Sequence, residues 1–175
     1  MILSFFSKKA NTAHVYAIYS AIVAQSRQEK FYADWQVPDT VNGRFDMISL
    51  HLCLLFRRLK TGQESTRVFS QSVFDLFFND MDQSLREMGA GDMAVPKRIQ
   101  KMGELLYGML DKLTSALDAQ DEEALRLVLS RNVYDGEEPH SLPNLVQYVR
   151  SLEADLNAVE IDDILTGRLQ LKAAA

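Results

Sequence analysis

The sequence predicts an all-α fold, a single domain over residues 1–175 arranged as an irregular bundle of about six helices. Apolar residues recur at helical spacing through nearly the whole chain, and no stretch alternates as a strand does. Helix formers are abundant, whereas glycine and proline number only 8 and 4. With 175 residues, 47% of them hydrophobic, the chain can bury a sizeable core and still form one domain.

The elements follow in order. Asn11 or Thr12 is a suitable N-cap for the first helix. Val15, Ile18, Tyr19 and Ile22 form one stripe, and Ala17, Ala21 and Ala24 lie opposite, so the helix is apolar nearly all round and is expected between neighbours. Pro38 stops the next segment, and Asp39 or Thr40 caps a second helix. Its Phe45, Ile48, Leu52, Leu55 and Leu59 share a face that Leu50, Leu54 and Phe56 widen, which marks it as central; "KTG" at 60–62 ends it. A third helix over about 66–88 carries Phe69, Val73, Leu76, Phe77, Met81, Leu85 and Met88, and stops at Gly89. Pro96 opens a fourth, reaching about 118, with Ile99, Met102, Leu106, Met109, Leu113 and Leu117 on its core face. Asp121 caps a short fifth with Leu125, Val128 and Leu129. Pro143 opens a sixth with Val146, Val149, Leu152 and Leu156, and "EIDDILTGRLQL" packs as a final turn.

Charge is uneven. Net charge is −5, yet residues 1–120 hold 14 Lys/Arg against 13 Asp/Glu, whereas residues 121–163 hold 3 against 11. The acidic C-terminal third argues against wrapping nucleic acid along the whole molecule, and no DNA partner is expected. Cys53 is the lone cysteine and lies in an apolar run, so no intramolecular disulfide can form; this fits a reducing compartment and a small buried side chain. Ala10–Ser26 lacks formal charge but is marginal in length for a membrane span and is interrupted by Asn11, Thr12, His14, Ser20 and Gln25. Lys8 and Lys9 precede it, but the apolar "MILSFF" comes before them, unlike a cleaved signal.

No catalytic or metal signature stands out. His14, His51 and His140 fall on different elements. His51 and Cys53 are two apart on a helix and point about 160° away from each other; no spacing fits a zinc site. Asp80 and Asp82 diverge in the same way. No phosphate loop or nucleophile elbow occurs. No catalytic residue, metal or cofactor is therefore assigned.

Two groups of residues invite a binding role. Met81 and Met88 are seven apart on the third helix, as are Met102 and Met109 on the fourth, so each pair shares a face and the stripes meet if the helices are antiparallel. Thioethers suit adaptable grooves for apolar helices, but also plain core filling. Arg57, Arg58 and Lys60 end a helix, where the macrodipole favours cations. Lys97, Arg98 and Lys101 open one, where it disfavours them by about 0.3–1 kcal/mol each. They need a counter-charge: internal pairing with Asp80, Asp82 or Glu87, or an external anion such as RNA phosphate or lipid headgroups.

Two ordered blocks carry a resemblance. "FYADWQVPDTVNGRFDMISLHLCLLFRRLK" has an aromatic lead, V-P-D-T, Leu50-His51 and Arg58-Leu59. "VFDLFFNDMDQSLREMGAGDMAVPKRIQKMGELLYG" has D-M-D, L-R-E-M-G, V-P-K and Tyr107-Gly108. Over residues 31–108 the chain resembles the ubiquinol–cytochrome c chaperone family, and the acidic part over 121–170 matches weakly. The resemblance implies a non-enzymatic assembly factor that holds newly made or apo cytochrome b during assembly of the respiratory cytochrome bc complex. It also implies a small helical partner or the ribosome as contacts. With no mitochondrial targeting segment ahead of the blocks, a bacterial member is expected, cytoplasmic and peripheral to the inner membrane.

Within that frame Tyr32, Trp35 and Pro38 would shape a rigid rim, Asp39 and Thr40 would fix the helix start, and Arg44 and His51 would project polar groups beside an apolar surface. The competing reading is a tertiary clamp with Trp35 buried. Two other functions stay open: a peripheral membrane or scaffold module using Lys97, Arg98 and Lys101, and a haem- or small-molecule-binding protein with His51 as ligand.

Overall fold

The computed structural model describes the backbone of residues 2–174 and the side chains of residues 12–174. It is all helical among the described residues, with α1 (Ile2–Ser26), α2 (Glu29–Ala33), α3 (Val41–Leu59), α4 (Glu64–Glu87), α5 (Val95–Asp118), α6 (Glu122–Val133), α7 (Leu142–Ala158) and α8 (Ile161–Leu165).

The long helices and the final turn, α8, match expectation, and the one extra element, α2, is a single-turn helix too short to show periodicity. α1 corrects the proposed start at Asn11 or Thr12, because the helix runs through both from Ile2. The side chains of Asn11, Lys8, Lys9 and the "MILSFF" run lie outside the described residues, as does Ala175. The expected burial of α1 on all sides is also corrected. Val15, Ile18, Tyr19 and Ile22 are buried, but Ala17 and Ala24 are exposed and Tyr16 is 62% exposed. No helix among the described residues is long and apolar enough to cross a membrane.

α3 is the axis of the bundle and packs against α1, α4, α5, α6 and α7. Leu50, Leu52, Leu54 and Leu55 are all essentially buried, so this helix has almost no solvent face between Met47 and Leu55. Each such side chain contributes about 1.5–3 kcal/mol relative to exposure. Cys53 is buried with them, its Sγ 3.7 Å from the Leu106 carbonyl. The end of α3 is tied across the bundle: Arg57 pairs with Asp118 at 2.7 Å and Glu153 at 2.9 Å, and Arg58 donates to the carbonyls of Leu156 and Val159 at the end of α7. These contacts add to the favourable dipole position of both arginines.

α4 ends as its glycine predicts. Gly89 has φ 83°, the Ala90 N–H reaches the Leu85 carbonyl and the Gly89 N–H the Arg86 carbonyl, which is a Schellman closure. It turns the chain back so that α5 packs on α4, and α6 then packs on α5. Asp121 caps α6 by accepting from the Ala124 N–H at 2.9 Å.

Candidate functional site

The stretch from Tyr32 to Phe45 proves to be a clamp. Trp35 is 5% exposed, and its ring meets Phe31 and Tyr148 edge-on at 5.4 and 5.8 Å. Its carbonyl accepts from the Tyr134 hydroxyl at 2.8 Å and from Ser141 Oγ at 2.7 Å, which ties the 134–141 loop to the motif. Thr40 is the cap, accepting from the Gly43 N–H at 3.1 Å, and Asp39 instead binds Arg44 at 2.7 Å. The Arg44 guanidinium beside Asp39 holds that carboxyl below its ordinary range. The same guanidinium lies 5.9 Å from the Tyr32 ring centroid, and the Tyr32 hydroxyl donates to the Ser26 carbonyl at 2.8 Å. A Cβ on Gly43 would fall 2.0 Å from the Pro38 carbonyl oxygen, so glycine is required for this close approach. The rim reading of Tyr32, Trp35 and Pro38 is thus corrected: Trp35 is buried, and Tyr32 and Pro38 are half-buried parts of a tertiary joint.

His51 needs the same correction. It is fully buried, with Nδ1 2.7 Å from the Met47 carbonyl and Nε2 2.7 Å from the Tyr148 hydroxyl. The carbonyl only accepts, so Nδ1 carries the proton and Nε2 accepts from Tyr148. The Gln25 amide donates to Tyr148 at 2.9 Å and to the Lys172 carbonyl at 2.7 Å. Burial pushes the His51 pKa down to about 4, so the ring is neutral at pH 7. Both nitrogens are engaged and no ring atom faces an opening, so His51 neither projects polar groups at a surface nor serves as a haem ligand.

The methionine stripe divides. Met81 and Met109 belong to the core, whereas Met88 is 53% exposed and Met102 is half-buried. Met88, Met102 and Met109 meet in a cleft of about 630 Å³ walled by the first turns of α3, the end of α4, the first half of α5 and the end of α6. Phe45, Leu85, Leu106 and Met109 make its apolar floor, and Val41, Met88 and Leu105 are exposed at its edges.

The basic group reaches the same place. Arg98 and Lys101 line the cleft beside Arg131, and Lys97 does not. The expected internal pairing is corrected, because the proposed acids are otherwise engaged: Asp80 accepts from Tyr19, Asp82 from Arg86, and Glu87 from Gln83. Lys101 pairs only with Glu104, at 3.6 Å, and Lys97 and Arg98 have no ion pair among the described residues.

Sequence reasoning missed the polar wall contributed by α3. Asn42, Asp46 and Ser49 fall at i, i+4 and i+7, so they form one strip, and all three line the cleft with Asp135. That spacing on an otherwise apolar helix was the available signal. Burial, followed by repulsion from Asp135, pushes the Asp46 carboxyl up to about 7. A second cleft of about 800 Å³ lies between α6 and α7. Its Arg126 pairs with Glu123 and Glu138 and its Arg150 with Glu122, although the buried Arg150 Nε has no hydrogen-bond partner among the described residues.

The fold has a solved counterpart, and the sequence has named relatives. The family model for ubiquinol–cytochrome C chaperones matches residues 33–172, so it also covers the acidic part where the sequence blocks were weak. The chain is 23% identical over 150 residues to ubiquinol-cytochrome-c reductase complex assembly factor 1 of Xenopus laevis, covering 85% of this chain and 74% of that protein. It is 25% identical to the proteins of the same name from Mus musculus and Homo sapiens, and spans about half of each, 52% and 50%. The crystal structure of the Cbp3 homolog from Brucella abortus is similar at a TM-score of 0.88 with 39% identity, covering 99% of this chain and 98% of that one.

Proposed function

Because the chain belongs to the ubiquinol–cytochrome c chaperone family, we propose that it is a non-enzymatic assembly factor that binds newly made cytochrome b and supports assembly of the ubiquinol–cytochrome c reductase complex. The observation that carries the structural side of this reading is the cleft with Met88, Leu105 and Val41 exposed at its edges. Flexible thioether and aliphatic side chains around a preformed concavity suit one face of an apolar helix. Holding works by preferential binding of the immature state, and mature packing then competes the client away. Deletion of the gene in its host tests this reading. The expected result is loss of cytochrome b and of the reductase complex with other respiratory complexes intact; a normal level of assembled complex would contradict it.

One observation favours an additional membrane contact. Lys97 and Arg98 are exposed at the start of α5 without ion-pair partners among the described residues. Each such cation near an anionic surface is worth about 1 kcal/mol. Flotation with anionic vesicles should weaken on Lys97→Glu and Arg98→Glu; unchanged flotation, or none by the parent chain, removes this contact.

A further inference from the structure

The cleft holds more polar chemistry than an apolar groove requires. Asp46 is a half-buried carboxylate on α3, and no hydrogen bond or cation acts on it, although Arg98, Lys101 and Arg131 line the same cleft. The charged group that does reach it is Asp135, of like sign. One turn further along α3, Ser49 is fully buried, and its Oγ has no hydrogen-bond partner. Ser49 also lines the cleft, so its orphaned oxygen belongs to the wall that Asp46 and Asp135 share. An unmade bond at a buried hydroxyl and a carboxylate without a counter-ion are both costly. Two carboxylates, the half-buried Asp46 and the exposed Asp135, thus share one corner of the cleft with a buried hydroxyl, and no described protein group donates to any of the three.

We propose that the corner formed by Asp46, Ser49 and Asp135 is a subsite for one basic side chain, lysine or arginine, carried on an otherwise apolar helix of the client. This rests on the chaperone reading of the cleft and names what the cleft recognises. The argument is charge complementarity. An ammonium group has three donors and no acceptor, which fits two carboxylates and a hydroxyl oxygen that lack a protein donor. The apolar floor takes the face of the helix around it. A basic residue in a membrane-destined helix is costly to leave without a partner before assembly. A holding surface that supplied a temporary counter-charge would select such segments over uniformly apolar ones.

The test uses the full chain and a synthetic leucine–alanine helix of about 20 residues, kept soluble by uncharged polyether tails, with lysine, norleucine or glutamate at its centre. Fluorescence anisotropy should give about tenfold tighter binding of the lysine peptide than of the norleucine peptide. Asp46→Asn should bring the two to near parity without lowering thermal stability, since it keeps the side chain's size and relieves the like-charge contact with Asp135. A loss of binding caused only by damage to the fold would lower both together. The proposal is overturned if the parent chain binds the lysine and norleucine peptides equally, binds neither, or prefers the glutamate peptide or anionic vesicles, and also if Asp46→Asn keeps the preference. Equal binding would leave the chaperone reading intact, because that reading is tested separately by the deletion phenotype.

Discussion

Asp46 and His51 sit on the same helix and work against each other in acid. The folded Asp46 carboxyl titrates near 7, above its ordinary 3.8, so the native state holds a proton that the unfolded chain has lost between those values. Stability from this group is full below about 4 and is lost as pH rises toward 7. His51 has its folded pKa lowered to about 4 from 6.5, so there the unfolded chain holds the extra proton. Its contribution grows as pH rises from about 4 to 6.5. Each group acts with a slope of at most about 1.4 kcal/mol per pH unit, and partial exposure reduces that of Asp46. The two slopes oppose over most of one window. The groups around Asp46 are Asp135 and the cleft cations Arg98, Lys101 and Arg131. Asp46→Asn is therefore expected to steepen the rise in stability between pH 4 and 6.5, as measured by urea denaturation at several pH values; an unchanged profile would contradict the assignment. Tyr148→Phe leaves the His51 ring and the Gln25 amide each short of a partner, and should cost about 1–3 kcal/mol at pH 7 in the same assay.

Single-turn joints decide where the long helices sit. The Pro38 carbonyl lies against the first turn of α3, and Gly43→Ala would place a methyl 2.0 Å from that oxygen. The backbone must move, so a loss of about 2–3 kcal/mol is expected in thermal denaturation. Gly108→Ala is the contrasting case: it lies inside α5 with nothing within 4 Å of the added carbon, and should stabilise by about 1 kcal/mol. The same contrast explains what could be read in advance. The Thr40 and Asp121 caps, Gly89 and the α3 stripe act within a few residues, so the sequence displays them. α2 has no full period to display, and α1 hides its start because its Asn11 and Thr12 resemble caps while the helix simply passes through them. Trp35 was left open between rim and clamp, and His51 was misjudged, for a related reason: their partners Tyr134, Ser141 and Tyr148 come from distant elements that meet them only in the folded bundle.

At the scale of the molecule, the cleft exists because α3, α4, α5 and α6 converge, and its residues come from four separate parts of the chain. Met88 and Met102 were legible as members of stripes, but nothing local separates them from the buried Met81 and Met109. Asp46, Ser49 and Asp135 escaped notice because polar residues on a helix ordinarily read as its solvent face. Leu105 is 44% exposed at the cleft and Leu127 is 42% exposed outside it, so they test position at equal exposure. Leu105→Asp should reduce capture of cytochrome b in co-purification by about tenfold or more, and Leu127→Asp should leave it unchanged, with both variants folding normally. Site-specific photo-crosslinking in the host gives the most direct measurement, with the reactive residue placed at Leu105 or, as control, at Val68 near the far end of α4. The account predicts an adduct with newly made cytochrome b from Leu105 and none from Val68. An adduct from Val68 alone, or from neither position while the protein still supports assembly, would contradict it.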